Sequence, residues 1–273
     1  KDDITFFGSK YSLEKDIVAK SGYKIELFSG RGINNIKSPS YIIPNILNVL
    51  GLIAALFKSL YLIYKIKPSV VIGVGGFASF PAICSAAILR KKIVVHEQNA
   101  VLGRINKIAQ KFGAQLITTF TTTEGANEDA IQIGLPLRKE VLDLLLARNN
   151  NSDTAGVASE MPHSVSRGAD PNKRIVTIFG GSLGAKCIND AVIQMASTNK
   201  IFNFDLTLIT GEKNFDSVSS HLKESENSNV NILPFSNNLF EMILNSDLVV
   251  SRAGAGTCVE LEAAGVQSIL IPL

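Results

Sequence analysis

The chain has 273 residues, 46% of them hydrophobic, and stretches with strand-like and helix-like patterns alternate along it. This length and pattern indicate a soluble α/β protein of about two domains. The formal net charge of +3 is too small to suggest nucleic-acid binding, but it suits an anionic ligand or a membrane surface. The three cysteines lie far apart and form no C-x-x-C pair, which excludes a disulfide framework and a cysteine-based metal site.

The first part of the chain predicts a strand, a helix and a second strand, at residues 4–7, 13–20 and 23–28. The most apolar stretch of the sequence follows at residues 46–66. A membrane-spanning helix needs about 20 largely uncharged residues, and Asn48 and Lys58 interrupt this run. We therefore predict a long helix with one apolar side, which either packs against a sheet or also contacts an anionic membrane surface.

A first glycine loop, residues 73–78, follows the strand predicted at residues 69–72. Within it, Gly73, Gly75 and Ala78 match the fingerprint of a dinucleotide-binding fold, and Glu97 lies about twenty residues on, where that fold places a ribose-binding acid. An oxidoreductase is therefore one alternative. Against it, the fingerprint usually belongs to the first strand of a domain, whereas earlier strands precede this loop.

Polar residues follow the next strand, predicted at residues 93–95, at the position where open parallel sheets bind their ligands. A zinc protease would need a second histidine four residues after His96, but that residue is Ala100. His96 is therefore interpreted as a structural histidine. For Asn99, a turn role and a ligand contact are both open.

Arg138 follows a Gly-x-Pro turn after the strands predicted at residues 115–118 and 130–133. Its guanidinium either binds a phosphate or is a solvated charge at a helix start. Residues 149–173 are polar and lack any period, so we predict a linker with a surface insertion there.

A second glycine loop, residues 180–184, lies between a strand predicted at residues 175–179 and a helix predicted at residues 185–196. Gly180 and Gly181 permit a turn that side chains would block. A strand, a glycine loop and a helix start in this order leave backbone N–H groups unpaired at the positive end of a helix dipole. The loop is therefore either a phosphate site or an ordinary tight turn.

A third loop follows the strand predicted at residues 248–250 and leads into another helix. Thr257 and Glu260 have the T-x-x-E spacing of a capping box, in which each side chain satisfies a free N–H at the helix start. Alternatively, the Glu260 carboxylate accepts hydrogen bonds from a ribose diol. Between the second and third loops the pattern predicts alternating strands and helices, at residues 205–209, 215–222, 230–233 and 239–244.

In their order and context, four segments resemble the MurG glycosyltransferases: residues 73–81, 96–99, 180–185 and 251–260. Those enzymes transfer N-acetylglucosamine from its UDP derivative to undecaprenyl-pyrophosphoryl-MurNAc-pentapeptide (lipid I), which gives lipid II for peptidoglycan. The resemblance implies the GT-B fold, an α/β architecture in which two Rossmann-like domains face each other across a cleft. It places an acceptor and membrane-side domain at residues 1–140, a linker at 141–173 and a UDP-sugar-binding domain at 174–273.

The resemblance also implies the residues of the site. Contacts to UDP-N-acetylglucosamine are expected from Asn99, Arg138, Ser182, Ala255, Gly256, Thr257, Cys258, Val259 and Glu260, with Glu260 on the ribose hydroxyls. Ser236 falls where the family sets backbone groups against the uracil ring, and only this backbone role is carried over because its side chain differs from the usual apolar one. The phosphate-binding loops contain Gly75, Gly76, Gly180, Gly181 and Gly184.

The reaction implied is an inverting displacement with UDP as the leaving group, without a metal or a cofactor. Its general base stays unassigned, because family members carry the candidate region in a Gly-Thr-Gly-Gly-His loop upstream of the first residue of this chain. Members also continue past the last strand into a Gln-rich segment. We therefore expect a fold that is incomplete at both ends and no sugar transfer by this chain alone.

A truncated, non-catalytic protein that at most binds UDP-sugar is the alternative to a transferase. The expected location is the cytoplasmic face of the bacterial inner membrane, as a peripheral protein. The expected partners are UDP-N-acetylglucosamine, the lipid-linked acceptor and the membrane surface, but no nucleic acid.

Overall fold

The structure is a computed structural model that describes residues 3–11, 14–29, 42–76, 78–152, 173–181, 184–198, 202–223 and 229–272. The chain divides into two compact units, Lys1–Leu135 and Pro136–Leu273. Strands and helices alternate in both, as the sequence predicts for an α/β protein.

In the first unit, helices alternate with parallel strands. The elements are β1 (Thr5–Ser9), α1 (Glu14–Lys20), β2 (Lys24–Phe28), α2 (Ile42–Ile66), β3 (Val70–Gly73), α3 (Ser79–Ile88), β4 (Lys92–Glu97), α4 (Arg104–Lys111), β5 (Gln115–Thr118) and β6 (Ile131–Gln132). Strand β1 pairs with β2, and the larger sheet has the order β3-β4-β5-β6. Because all pairs are parallel, the carboxyl ends of β3, β4 and β5 lie along one edge of this sheet.

Helix α2 has a packed face, on which Ala55, Leu62 and Ile63 are buried. Ala55 and Leu62 pack against Phe28 of β2. Lys58 Nζ, on the same helix, lies 3.1 Å from Glu26 Oε2 and donates a hydrogen bond to the Leu27 carbonyl. The predicted packing of this helix against strands is therefore confirmed for one of its faces.

The opposite face of α2 is apolar and exposed. Its residues recur every three or four positions, and we call them the α2 stripe: Ile46, Leu50, Ile53, Phe57, Tyr61 and Tyr64. By length and composition alone, Asn45–Ile66 is apolar enough to cross a membrane, with a mean hydropathy of 2.1. Of the most apolar 18-residue stretch of this helix, only 22% is buried within the described residues, so most of this apolar surface is available for contact.

The second unit is a five-stranded parallel sheet with helices on both faces. Its elements are α5 (Lys139–Ser152), β7 (Arg174–Phe179), α6 (Lys186–Thr198), β8 (Phe204–Ile209), α7 (Phe215–Lys223), β9 (Val230–Leu233), α8 (Leu239–Leu244), β10 (Leu248–Arg252), α9 (Ala255–Ala264) and β11 (Ser268–Ile271). The strand order is β11-β10-β7-β8-β9. The order reverses between β7 and β10, which is the point where open α/β sheets bind ligands.

Two hydrophobic clusters cover the two faces of this sheet. Val176 and Ile178 of β7 pack with Val192 of α6 on one face. Phe179, which points the other way, packs with Leu261 of α9. The alternation fixes the register of β7 and so the position of the loop that follows it.

Helix α5 departs from the expected domain organisation. The units meet between Leu135 and Pro136 rather than after residue 140, and residues 141–152 are helical although the sequence predicted a linker there. The polar run of asparagines at residues 149–151 led to the prediction of a linker, although apolar residues at helical spacing precede it. The rest of the predicted insertion, residues 153–172, lies outside the described residues.

The packing of α5 explains why it belongs to the second unit. Val141 is 2% exposed and lies in the cluster that contains Phe179 and Leu261. Arg148 Nη1 also donates a hydrogen bond of 2.9 Å to the Ala264 carbonyl at the end of α9. The segment that follows the Gly-x-Pro turn is thereby fixed on the second unit.

Candidate functional site

The second glycine loop joins β7 to α6 by a path that only glycine permits at two positions. A Cβ atom on Gly180 would overlap the backbone nitrogen of Ala185, and one on Gly184 would overlap the carbonyl oxygen of Thr210. Gly184 also has a φ of +72°, and its N–H donates to the Gly181 carbonyl at 2.9 Å. The tight turn is therefore present, while the phosphate role of this loop stays a prediction. Ser182 lies outside the described residues.

The start of α9 lies beside this loop, because β7 and β10 are neighbouring strands. The residue before the helix is Gly254, and no side chain of the described residues caps the helix. The capping-box interpretation is wrong, since the helix begins at Ala255 and Thr257 therefore lies inside its first turn. Uncapped N–H groups of the first turn are available to an anion.

Arg138 and Glu260, which the sequence placed 122 residues apart, are in direct contact. The Arg138 Nη2 atom lies 2.9 Å from Glu260 Oε1, and the two side chains are 62% and 17% exposed. Within the described residues, the second carboxylate oxygen of Glu260 and the other N–H groups of Arg138 have no partner. The pair can therefore accept a hydrogen bond from a hydroxyl and donate to an anion at the same time.

Two other predicted residues have local roles. The Ser236 hydroxyl accepts a hydrogen bond of 3.1 Å from the Asn238 N–H, so this side chain shapes the turn after β9. Burial raises the pKa of the Cys258 thiol, which keeps it uncharged at neutral pH. Ala255, Gly256, Thr257, Cys258 and Val259 are all partly exposed along the first half of α9.

Arg252 is a residue to which the sequence interpretation gave no role. It is the last residue of β10, and its Nη1 atom lies 3.7 Å from Cys187 Sγ in the first turn of α6. A cation at a helix N-terminus opposes the helix dipole. The sequence signal that could have identified Arg252 is the position of an arginine directly between a buried strand and a glycine-containing loop.

The first unit has a cleft of about 310 Å³ at the carboxyl edge of its larger sheet. Gly75 and Gly76 of the first glycine loop line it, together with Asn99 and the residues around the start of α4. The structure thus brings together three of the predicted site residues. Among the described residues, a Cβ added to either glycine would meet no atom within 4 Å apart from its chain neighbours, so the space beside them is open.

Glu97 lies at the bottom of this cleft and is 4% exposed. Its Oε1 atom accepts hydrogen bonds from the backbone N–H and the side-chain amide of Asn99, both at 3.0 Å. Its Oε2 atom accepts from the Gly103 N–H at 2.8 Å and from Asn106 Nδ2 at 2.9 Å. Burial alone would raise the pKa of the Glu97 carboxyl, but these hydrogen bonds outweigh it and lower the pKa below its ordinary value.

This network removes the residue on which the oxidoreductase alternative depended. With four donors on its two oxygens, Glu97 has no acceptor position left for a ribose diol. His96 has the structural role that the sequence predicted: its Nε2 atom lies 3.1 Å from the Gly134 carbonyl and 3.4 Å from Thr119 Oγ1.

Comparisons with known proteins agree over both units. Residues 1–118 match the glycosyltransferase family 28 N-terminal domain, and residues 175–273 match the family 28 C-terminal domain. A protein of Acetivibrio thermocellus named UDP-N-acetylglucosamine–N-acetylmuramyl-(pentapeptide) pyrophosphoryl-undecaprenol N-acetylglucosamine transferase is 33% identical, over 99% of this chain and 69% of its own. The protein of the same name from Ruminiclostridium cellulolyticum is 32% identical, over 99% of this chain and 71% of its own.

Solved structures agree with this relationship at the level of the fold. The crystal structure of Acinetobacter baumannii MurG superposes with a TM-score of 0.70 at 20% identity, over 98% of this chain and 70% of that one. The calicheamicin glycosyltransferase CalG4 gives a TM-score of 0.63 at 13% identity, over 98% of this chain and 72% of its own. The predicted GT-B fold is confirmed. This chain therefore belongs to glycosyltransferase family 28 and, within it, to the MurG family of N-acetylglucosamine transferases.

Proposed function

We propose that this protein transfers N-acetylglucosamine from UDP-N-acetylglucosamine to lipid I, which gives lipid II for peptidoglycan synthesis. The relatives that match nearly the whole chain are named for this transfer. The observation that carries the proposal for the site is the contact of Arg138 with Glu260. Glu260 lies on α9, whose uncapped start adjoins the second glycine loop.

The second unit supplies the proposed donor site. Glu260 would accept hydrogen bonds from the ribose hydroxyls through its free oxygen, while the exposed fork of Arg138 would hold the diphosphate. The second glycine loop, with Ser182, would place helix-start N–H groups against the same phosphates. We also place the nucleoside along the first half of α9 and assign to Ser236 the backbone contact to uracil.

The first unit supplies the proposed acceptor side. The cleft beside Gly75 and Gly76 is open and adjacent to the uncapped start of α4, whose backbone N–H groups suit a diphosphate. The Asn99 amide nitrogen is held by Glu97, so its side-chain carbonyl oxygen is oriented, and it has no hydrogen bond among the described residues. We assign that oxygen to a contact with the sugar nucleotide.

The proposed chemistry is a direct displacement. A hydroxyl of the acceptor sugar attacks the anomeric carbon of N-acetylglucosamine, the bond to UDP breaks, and the configuration inverts. The departing diphosphate gains charge, which helix-start N–H groups stabilise by about 0.3–1 kcal/mol. A hydrogen bond from Arg138 contributes about 1.5–3 kcal/mol more, and because these groups are already oriented they lose little free energy in reorganising.

We further infer that the protein is peripheral on the cytoplasmic face of the cell membrane and contacts it through the α2 stripe. An exposed apolar face of this length suits the interface between lipid headgroups and acyl chains. The exposed Lys65 and Lys67 lie at the end of the same helix and would be attracted to anionic lipids.

Binding tests the donor site without requiring turnover. We expect calorimetric titration of the full chain to show binding of UDP-N-acetylglucosamine and UDP, and much weaker binding of uridine. Binding of NADH without binding of UDP would support an oxidoreductase instead. Transfer of N-acetylglucosamine to a lipid I analogue is the second measurement, and product formation would support the proposed function directly.

A further inference from the structure

The carbonyl oxygen of Thr210 connects the end of β8 to the second glycine loop. Thr210 directly follows β8 and is fully buried. Its backbone N–H donates to the Leu233 carbonyl at 3.0 Å, which ties it to the end of the neighbouring strand β9. Gly184 lies so close to the carbonyl oxygen of Thr210 that a Cβ atom on this glycine would overlap it. The position of this oxygen therefore limits where the loop can lie.

Two asparagine side chains from different elements bond to this oxygen. Asn189 Nδ2, near the start of α6, donates to it at 3.1 Å. Asn214 Nδ2, in the short 3₁₀ helix Glu212–Asn214, also donates to it at 3.1 Å. A carbonyl oxygen has two lone pairs, so these two bonds use its full capacity and fix its direction. The oxygen that contacts Gly184 is thus held by side chains as well as by the sheet.

Stability alone does not account for these two amides. Asn189 is 2% exposed, and its Oδ1 atom is buried without a partner among the described residues. A buried amide with an unbonded oxygen keeps part of its desolvation penalty, so an apolar side chain of similar size would suit folding equally well. Asn214 is only partly buried, and the bond of 3.0 Å from its backbone N–H to the Gly211 carbonyl closes the turn without the side chain. What the two side chains share is their bond to Thr210.

We propose that Asn189 and Asn214 are positioning residues of the donor diphosphate site. The inference rests on the function proposed above, in which the second glycine loop and the start of α6 bind the diphosphate. The two amides fix the Thr210 carbonyl, and this oxygen keeps Gly184 where the N–H groups of the loop and of the helix start are directed at the phosphates. Hydrogen bonds weaken steeply with distance and angle, so a small shift of the loop would weaken phosphate binding. The nucleoside contacts along α9 would not change.

The test is calorimetric titration of the full chain with UDP and with uridine. Wild type should bind UDP much more tightly than uridine. Asn214→Ala removes one of the two bonds to the Thr210 carbonyl, so we expect UDP affinity to fall about fivefold while uridine affinity stays unchanged. Asn189→Leu should have the same selective effect, because it removes the other bond and nearly preserves the size of the side chain.

The matched control is Asn229→Ala. Asn229 Nδ2 donates to the Phe202 carbonyl at 3.1 Å, which is the same kind of bond in the same unit. It lies at the amino ends of β8 and β9, whereas Thr210 lies at the carboxyl end of β8. Loss of this bond should leave the affinities for UDP and uridine unchanged. The control therefore separates a loss of one amide bond from a loss of positioning.

Unchanged UDP affinity in Asn214→Ala, or equal losses of UDP and uridine affinity, would overturn the proposal. So would wild-type UDP affinity in a folded Asn189→Leu variant. If circular dichroism shows that Asn189→Leu is unfolded, Asn214→Ala decides alone, since Asn214 is partly exposed on a turn. Failure of the wild-type chain to prefer UDP over uridine refutes the proposed donor site itself. A preference that both variants keep in full refutes only the positioning role.

Discussion

Arg138 is held by Glu260 while most of its guanidinium is exposed, so it needs little further ordering to bind a phosphate. We expect Arg138→Ala to weaken UDP binding by about 1.5–3 kcal/mol, which is a factor of roughly 10 to 150. Arg138→Lys should recover only part of this loss, since an ammonium cannot bond to the carboxylate and the phosphate with a planar fork. Calorimetric titration with UDP and with uridine measures both effects.

The matched control for this substitution is Arg174→Ala. Arg174 is 75% exposed and lies 3.0 Å from Asp247 Oδ1, so it also forms an exposed pair in the second unit, but at the opposite edge of the sheet. Its removal should leave UDP affinity unchanged. An equal loss of UDP and uridine affinity in Arg138→Ala would mean that this arginine contacts the nucleoside and not the phosphates.

Glu97 should make the stability of the first unit depend on pH. Its pKa is lowered in the folded state, so its stabilisation is complete above the unfolded value of 4.5 and is lost as the pH falls through the folded value. The unfolding temperature should therefore decrease as the pH is lowered from about 5 toward 3. In Glu97→Gln we expect a lower unfolding temperature at neutral pH and a weaker acid dependence, because the new amide would face donors.

Circular dichroism melts of wild type and Glu97→Gln between these pH values provide the measurement. Glu128→Gln is the control, since its carboxylate has no partner among the described residues. If Glu97→Gln melts at the wild-type temperature at neutral pH, the four hydrogen bonds to Glu97 do not stabilise the unit.

At the scale of an element, the second glycine loop depends on contacts more than on flexibility. Gly184→Ala combines a positive φ with overlap against the Thr210 carbonyl, so we expect a loss of about 3 kcal/mol in the free energy of unfolding. Gly181→Ala has a similar φ of +89°, but its new Cβ would meet no atom within 4 Å in the part of the chain that the structure describes, so a loss of about 1 kcal/mol is expected. Urea denaturation compares the two, and equal losses would show that backbone strain alone governs this loop.

The α2 stripe predicts membrane binding that is separable from folding. Phe57 and Tyr61 are 66% and 62% exposed, so Phe57→Ser/Tyr61→Ser should leave the unfolding temperature unchanged while reducing sedimentation with anionic vesicles severalfold. Leu146→Ser on α5 is the control, because Leu146 is 60% exposed but lies on the other unit. Unchanged vesicle binding in the double variant would remove the stripe from the membrane contact.

The sequence predicts most elements well because their signals are local. The strands predicted at residues 115–118 and 230–233 agree with β5 and β9. The apolar residues of α2 likewise recur at helical spacing in the sequence. The start of α9 was misplaced, because T-x-x-E spacing is satisfied equally by a capping box and by residues inside a first turn. Only the three-dimensional position of Arg138 shows what Glu260 contacts.

For the whole molecule, alternation and family resemblance predict two parallel-sheet units, and the structure agrees. The boundary was harder, since α5 follows the first unit in sequence but its apolar side is buried in the second. Packing of this kind depends on residues more than a hundred positions away, such as Leu261, and no local pattern reports it. The four hydrogen bonds to Glu97 could not be predicted from the sequence either, because the same acid also suited a ribose contact.

The assignment of donor groups to the second unit predicts where a nucleotide stabilises the protein. Arg138, the second glycine loop and the start of α9 all belong to Pro136–Leu273. UDP at about 100 times its dissociation constant should therefore add about 2.7 kcal/mol to the stability of that unit. Hydrogen exchange of the full chain should then slow in β7, α6, β10 and α9, and stay unchanged in β3–β5. Uridine is the control, since without the diphosphate it should protect α9 more than the glycine loop. Protection confined to the cleft beside Gly75 and Gly76 would place the nucleotide in the first unit instead, and the donor assignment would then be wrong.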